Sequence, residues 1–529
     1  MSLLAIVALT ALGAVPRVIV AHQSVFADEL STYWISVTHG LGGVLSLLYS
    51  TGRIHHAEIT PPLSFLASWL STRLGTTAEL LRAPALLAGT ATIPLIYALG
   101  RRTVGRRAAL LAATVTALSP FMIYYSAEAR AYGLMICLVV CSILTMLLAI
   151  DTGRNRYWVL YAIFSAAAFY THYTCTFVLA VALLWLLWSE PAARRPALLA
   201  NAGAALLVVP WIPGLIADLH SPTVKILSAL SPFTANAVRV DIQHWALGYP
   251  YTVAGGLRDL PGVPALLLLV AAALLSAVGV ATGAHAAGRH DLRRRSRDLL
   301  RPGSRAAGSG SLDRRIVLVL GLMLATPVGE IAGSAVGNHI IGVRDLAASW
   351  PFLALFAAAF VIAAGPRLGT VAAALTVVAF ALAAPKMLEA RFQRPGYQAA
   401  ANYVAADARA GNVVIDETGG LSPGPLTGFD IVFHRRLPVF RALAPAERDH
   451  PFTVFDPFVS LPEAAQRAIA AAHGARVFLV AGQLPGVVTR PDPVPLVLPD
   501  GYRRTSLRSY PGIELTLVGV YARSRDASR

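Results

Sequence analysis

The chain has 529 residues, is 56% hydrophobic and only 14% charged, and its mean hydropathy is +0.60, which gives it far more apolar surface than a soluble domain of that length buries. A formal charge of +16 would suggest nucleic acid in a soluble protein, but many of the arginines sit in short segments between apolar runs, where they set membrane orientation, so nucleic-acid binding is set aside. Cys137, Cys141 and Cys175 all fall inside apolar runs, the first two one helical turn apart, which leaves no disulfide framework and no CxxC metal centre.

The apolar runs thread a bilayer from a cytoplasmic N-terminus, with the arginine clusters falling inside. The first span, Leu3 to Val20, has no charged leader and no small-residue cleavage site, so it reads as a retained helix, with Arg17 placed to snorkel. An outer loop over 21–78 follows. Within it Leu30 to Tyr49 has helix-compatible apolar spacing, and Pro62 to Leu74 is apolar but too short to span, so both are candidates for interfacial or bundle-packed helices.

Spans over 80–99, 108–124, 132–150, 157–170, 174–188 and 198–216 come next, with Arg101, Arg102, Arg106, Arg107, Arg154, Arg156, Arg194 and Arg195 on the cytoplasmic side. A second outer loop over 217–262 leads to a span over 263–282. The stretch 285–315, with nine arginines, reads as a basic cytoplasmic linker. Three last spans, over 316–336, 346–364 and 368–384, bring the C-terminus outside. The expected fold is thus a polytopic α-helical membrane protein of about eleven spans, residues 1–384, carrying an extracytoplasmic α/β domain over 385–529. In the latter, short β-like runs at Asn412–Asp416, Arg476–Ala481 and Ile513–Tyr521 alternate with a helix-like stretch, Pro462–His473.

Four polar groups fall at the outer face in this threading: Asp28-Glu29, the run from His55 and His56 through Glu58 to Pro61-Pro62-Leu63, Glu128-Ala129-Arg130, and Arg344-Asp345. Carboxylates at the edge of hydrocarbon are costly, and two side by side raise one another's pKa, so such pairs attract attention as chemistry. In order and sidedness the set resembles the GT-C glycosyltransferases that use polyprenyl-phosphate sugars, the class of protein O-mannosyltransferases and aminoarabinose transferases. The resemblance covers roughly Leu3 to Ala384.

That resemblance implies an enzyme of the cell membrane that moves a sugar from a polyprenyl-phosphate donor to a hydroxyl of a glycan, lipid or protein acceptor on the extracytoplasmic side, with inversion. Asp28 matches the catalytic acidic position as general base, with Glu29 beside it to orient the acceptor or stand solvated. Arg344 and Arg82 are the donor-phosphate candidates, because forked donors match phosphate oxygens. Arg82 could equally pair with Glu79 or Glu128. His56, Glu58, Glu128 and Arg130 are candidates to line the substrate site, and His172 reads as structural.

No cofactor is expected: His55, His56 and Glu58 are a thin basis for a metal site. Thr60 stands where aminoarabinose transferases often carry a lysine, which weakens phosphate binding by this loop. No dinucleotide or P-loop motif is present. A polytopic transporter and a noncatalytic cell-envelope polymer-assembly protein are the alternatives. The first is disfavoured by charges at one face without an inverted repeat, the second by Asp28, Arg82 and Arg344 together.

Overall fold

The computed structural model describes residues 3–49, 58–221, 232–251, 254–298, 310–337, 341–419, 425–443, 459–483 and 501–523, with the backbone alone at 283–298 and 310–313. The chain falls into two compact units. One comprises Met1–Val18, Ala85–Ile212 and Ser231–Met387, and the other Ile19–Pro84, Pro213–Leu230 and Leu388–Arg529.

All of the expected spans appear as helices. They are α1 (Leu3–Ala21), α5 (Ala78–Thr103), the pair α6 (Arg106–Leu118) and α7 (Pro120–Ser126), α8 (Ala131–Thr152), α9 (Asn155–Phe169), α10 (Cys175–Ser189), α11 (Arg194–Val208) running on through a 3-10 turn into α12 (Ile212–Leu219), α14 (Val263–Asp298), α15 (Gly310–Val336), α16 (Trp350–Ala363) and α17 (Leu368–Lys386), with α2 to α4 and α13 described below. Among the described residues, eight are long and apolar enough to cross a membrane, or nine when α6 and α7, bent by 60°, count as one. The expected count of eleven is therefore high by that measure. Helices α9 and α10 have only 15 residues each, which at 1.5 Å per residue is about 22 Å against a hydrocarbon core of roughly 30 Å.

The bend has a local cause. Pro120 follows Ser119, whose hydroxyl caps the new helix by accepting from the Met122 amide, and proline has no N–H for the carbonyl of Thr116. Arg17 supplies the missing donors. Its Nη2 donates to Thr116 O at 2.8 Å and its Nη1 to Ala117 O at 2.8 Å, while Nε reaches Ser126 Oγ at 3.1 Å. This residue is 0% exposed, so the snorkelling expected of it does not occur: the orphan carbonyls at a helix C-terminus hold the cation inside. Gly89 is required beside this junction, because a Cβ there would stand 2.0 Å from Ser126 Oγ. In this unit α8 packs on α9, α9 on α11, α6 on α16, and α14 on α17.

The second unit holds three short helices from the first outer segment, α2 (Asp28–Thr38), α3 (Leu41–Tyr49) and α4 (Leu63–Ser71). The stretch expected as one helix over 30–49 breaks at His39, which is extended (φ −120°, ψ 149°) before Gly40.

The rest of this unit is an α/β fold. Strands β1 (Val413–Glu417), β2 (Val439–Leu443), β3 (Val459–Ser460), β4 (Val477–Gln483), β5 (Tyr502–Tyr510) and β6 (Leu515–Arg523) form one sheet in the order β3-β2-β1-β4-β6-β5. The first four run parallel, with Ile415 opposite Leu479, and β6 and β5 close the edge antiparallel. Alternation sends Val413, Ile415, Leu479 and Leu517 to the face covered by α20 (Leu461–Ala472). Val414, Phe478, Val480 and Val518 go to the face covered by α18 (Tyr397–Asp407) and α19 (Gly428–Val432).

Candidate active site

The acidic pair opens α2. Asp28 and Glu29 occupy its first turn, where the helix dipole favours negative charge, and successive residues of a helix point about 100° apart, so the two carboxylates meet different surroundings. Glu29 turns inward and is 1% exposed. Its Oε1 accepts from Arg82 Nε at 2.7 Å and its Oε2 from Arg82 Nη2 at 2.6 Å, a bidentate fork, and Arg394 Nε lies 3.1 Å from the same Oε2. The remaining donors of Arg82 go to backbone: Nη1 to Ala21 O at 2.8 Å and Gln23 O at 2.5 Å, and Nη2 to Ser24 O at 2.8 Å.

All five N–H groups of Arg82 are therefore engaged by the chain itself, and the residue is 0% exposed. This differs from two expectations. Arg82 was assigned to the donor phosphate, or to Glu79 or Glu128, but a guanidinium with every donor committed inside the protein fastens the loop between α1 and α2. Glu79 instead lies 3.9 Å from His22. Glu29 was expected to orient the acceptor or to stand in water, but two arginines hold it.

Asp28 keeps partial exposure on the same turn. The residue before it, Ala27, has φ 50° and ψ −127°, a conformation that non-glycine residues rarely adopt and that costs about 1 to 3 kcal/mol. One helical turn beyond Asp28, Ser31 Oγ donates to Glu58 Oε2 at 3.1 Å, which brings the carboxylate of the proline-pair segment against α2. His56 lies outside the described residues.

In the other unit a second group assembles from four elements. The turn between α7 and α8 supplies Glu128 and Arg130, and the α9–α10 turn supplies His172. The 3-10 helix Val343–Ser349 supplies Arg344 and Asp345, and α13 (Ala235–Leu247) supplies Asp241. Aromatic rings link the first two, with Tyr132 4.8 Å from Tyr125 and 5.2 Å from His172 between centroids. Glu128 Oε2 and Arg130 Nε are buried atoms.

Burial first, then the positive charges of Arg344 and Arg130, push the His172 pKa down to about 3, so its imidazole is neutral at ordinary pH. Burial and then Asp345 push Asp241 up to about 7. Two arginines from separate elements thus act on one neutral ring, in a cluster that also holds Glu128, Asp241 and Asp345. Sequence reasoning placed His172 as merely structural and passed over Asp241. The signal that was available is the position of both in outer segments of the threading.

Among the described residues no group of three or more His, Cys, Asp or Glu is disposed to hold a metal ion.

Residues 59–213 match the family model described as dolichyl-phosphate-mannose-protein mannosyltransferase. No curated protein matches the sequence. Solved structures similar to this chain include ArnT from Cupriavidus metallidurans bound to undecaprenyl phosphate, at 13% identity and a TM-score of 0.44, covering 98% of both chains. The archaeal oligosaccharyltransferase AglB from Archaeoglobus fulgidus is 12% identical with a TM-score of 0.45, covering 90% of this chain and 69% of that one. The arabinofuranosyltransferase AftD from Mycobacteria is 15% identical with a TM-score of 0.39, covering 99% of this chain and 40% of that one. Likenesses at these identities and scores leave activity unaddressed. The family match over residues 59–213 agrees with the resemblance carried by the motifs.

Proposed function

We propose that this multi-pass membrane protein transfers a sugar from a polyprenyl-phosphate donor to an acceptor hydroxyl at the extracytoplasmic face of the cell membrane, with inversion at the anomeric carbon. The N-terminus is cytoplasmic and the C-terminal α/β domain extracytoplasmic in this reading. The observation that carries it is the division of labour in the acidic pair: Glu29 is consumed by Arg82 and Arg394, while Asp28 stays partly exposed on a strained turn. The family match over 59–213 supports the donor class.

Asp28 acts as general base. Its carboxylate takes the acceptor O–H proton as the acceptor oxygen bonds to the anomeric carbon, and the bond from that carbon to the phosphate oxygen breaks with its electron pair going to the phosphate. Proton removal of this kind is worth about 10²- to 10⁴-fold. Arg344, with Arg130 acting on the same imidazole, holds the donor phosphate and stabilises its growing charge. Glu58 and Glu128 contribute to substrate binding. The reaction as proposed uses no metal and no organic cofactor, and glycan, lipid and protein acceptors all fit the hydroxyl chemistry.

The test is Asp28→Asn in purified protein supplied with a polyprenyl-phosphoryl mannose. Turnover should fall by about 10²-fold or more with folding intact, because the residue moves a proton and does not hold the unit together. A variant keeping more than about a tenth of the rate would end the general-base assignment.

A further inference from the structure

Arg394 stands between α17 and α18, 374 residues along the chain from Val20 and 371 from Gln23, yet it reaches both. Its backbone N–H donates to Gln23 Oε1 at 3.0 Å, its Nη1 to Val20 O at 3.4 Å, and its Nε lies 3.1 Å from Glu29 Oε2. The residue is 4% exposed. We propose that Arg394 is a positioning residue for sugar transfer: acting through Glu29, it fixes the first turn of α2 and thereby the carboxylate of Asp28. This rests on Asp28 being the general base.

Arg82 already pairs with Glu29 through both oxygens. What the second arginine adds is geometry. It ties the end of α1, the loop after it and the start of α2 at three points, and between the last two lie Ser24 to Asp28, including Ala27 in its left-handed conformation. Strain at the residue before a base persists only where the surroundings over-determine it.

The platform behind Arg394 belongs to the α/β fold. The Ile513 amide donates to Gln393 O at 2.7 Å, and a Cβ on Gly512 would stand 3.0 Å from Arg394 O, so the segment lies closely against the β5–β6 turn. Tyr397 Oη donates to Glu514 Oε1 at 2.9 Å just beyond. The α/β fold is therefore part of what aims the base.

Full-length Arg394→Gln, Arg394→Lys, Glu29→Gln and the double variant Glu29→Gln/Arg394→Gln decide this, read by hydrogen exchange and by turnover of polyprenyl-phosphoryl mannose. In Arg394→Gln, exchange across 24–31 should rise at least about 10-fold while β1 and β4 keep their protection. The kcat should fall on the order of 10- to 100-fold with the donor KM nearly unchanged, since displacement of a reacting group by an ångström costs about that much. Arg394→Lys should fold and restore part of both. The double variant should be no slower than Glu29→Gln, because Arg394 acts through that carboxylate.

Unchanged exchange over 24–31 in Arg394→Gln, or a double variant much slower than Glu29→Gln, would overturn the proposal. Its failure is separable from failure of the base itself. Asp28→Asn retaining turnover would remove the base with the exchange result intact, whereas an inactive Asp28→Asn beside a fully active Arg394→Gln would remove only the clamp.

Discussion

The reassignment of Arg82 from donor ligand to internal fastener makes a quantitative claim. Arg82→Ala deletes a bidentate pair to Glu29 and the donors for three carbonyls, those of Ala21, Gln23 and Ser24. Arg394 remains on one carboxylate oxygen, so Glu29 is left buried and only partly compensated. Breaking a buried pair by removing one partner costs about 3 to 5 kcal/mol, a large part of the roughly 5 to 15 kcal/mol that holds an ordinary protein folded. The variant should therefore lose thermal stability in detergent by a wide margin, with exchange across 19–31 rising first. Arg82→Lys keeps the charge but offers three donors from one point in place of a planar fork, and should recover less than half of the loss.

A residue that met the donor phosphate would behave in the opposite way. Arg82→Ala would then melt as the unsubstituted protein does and show only a raised donor KM. That pattern, or an Arg82→Lys indistinguishable from the parent, refutes the fastener.

Other outcomes can be checked with the same protein. Arg344→Ala should lower kcat/KM for polyprenyl-phosphoryl mannose by on the order of 10- to 100-fold, as expected for a charge-assisted contact of about 1.5 to 3 kcal/mol, with Arg344→Lys recovering part, and unchanged kinetics would leave Arg344 as an interfacial anchor. In a background without Cys137, Cys141 and Cys175, an impermeant thiol reagent on intact cells should label Ser506→Cys on exposed β5 and not Arg106→Cys between α5 and α6, and the reverse result inverts the membrane orientation. Asp416, buried and pushed up to about 6 by burial and then by Asp430, binds its proton more tightly folded than unfolded, so its contribution to stability is full below about pH 4 and is lost as pH rises through 6. Protection of β1 measured from pH 4 to 7.5 should show that decline, and Asp416→Asn should flatten it; an equal slope in the variant would mean another group titrates.

Much of the membrane part was legible because a long apolar run between arginines has few other uses: α1, α5, α8, α15 and α17 begin or end within a few residues of the expected spans, apart from longer tails on α5 and α15. In the α/β domain, β1, β4 and β6 were visible as apolar runs because both faces of a central strand are covered. Strand β5, sequence Tyr-Arg-Arg-Thr-Ser-Leu-Arg-Ser-Tyr, was not, since an edge strand exposed along most of its length has no hydrophobic pattern and carries the charges that deter edge pairing. Strands β2 and β3 are too short to register as periodic. The expected helix over 30–49 failed at Gly40 for a comparable reason: apolar spacing survives a break that only the extended backbone of His39 reveals.

The candidate site divides along the same line. The sequence could locate Asp28-Glu29 but not tell the two apart, since neighbouring carboxylates share composition, depth and hydropathy. What separates them is a 100° turn of helix and the identity of the groups each then meets. For Glu29 those groups are Arg82, which is 53 residues away, and Arg394, which comes from the far side of every membrane span. A local reading weighs each arginine against nearby acids, so Arg82 was matched with Glu79, three residues off, while Arg394 in a polar linker drew no notice. The fold resolves the choice by burial: a carboxylate taken out of water must be paired, so the residue that turned inward is the one held by both arginines, while Asp28 keeps partial exposure.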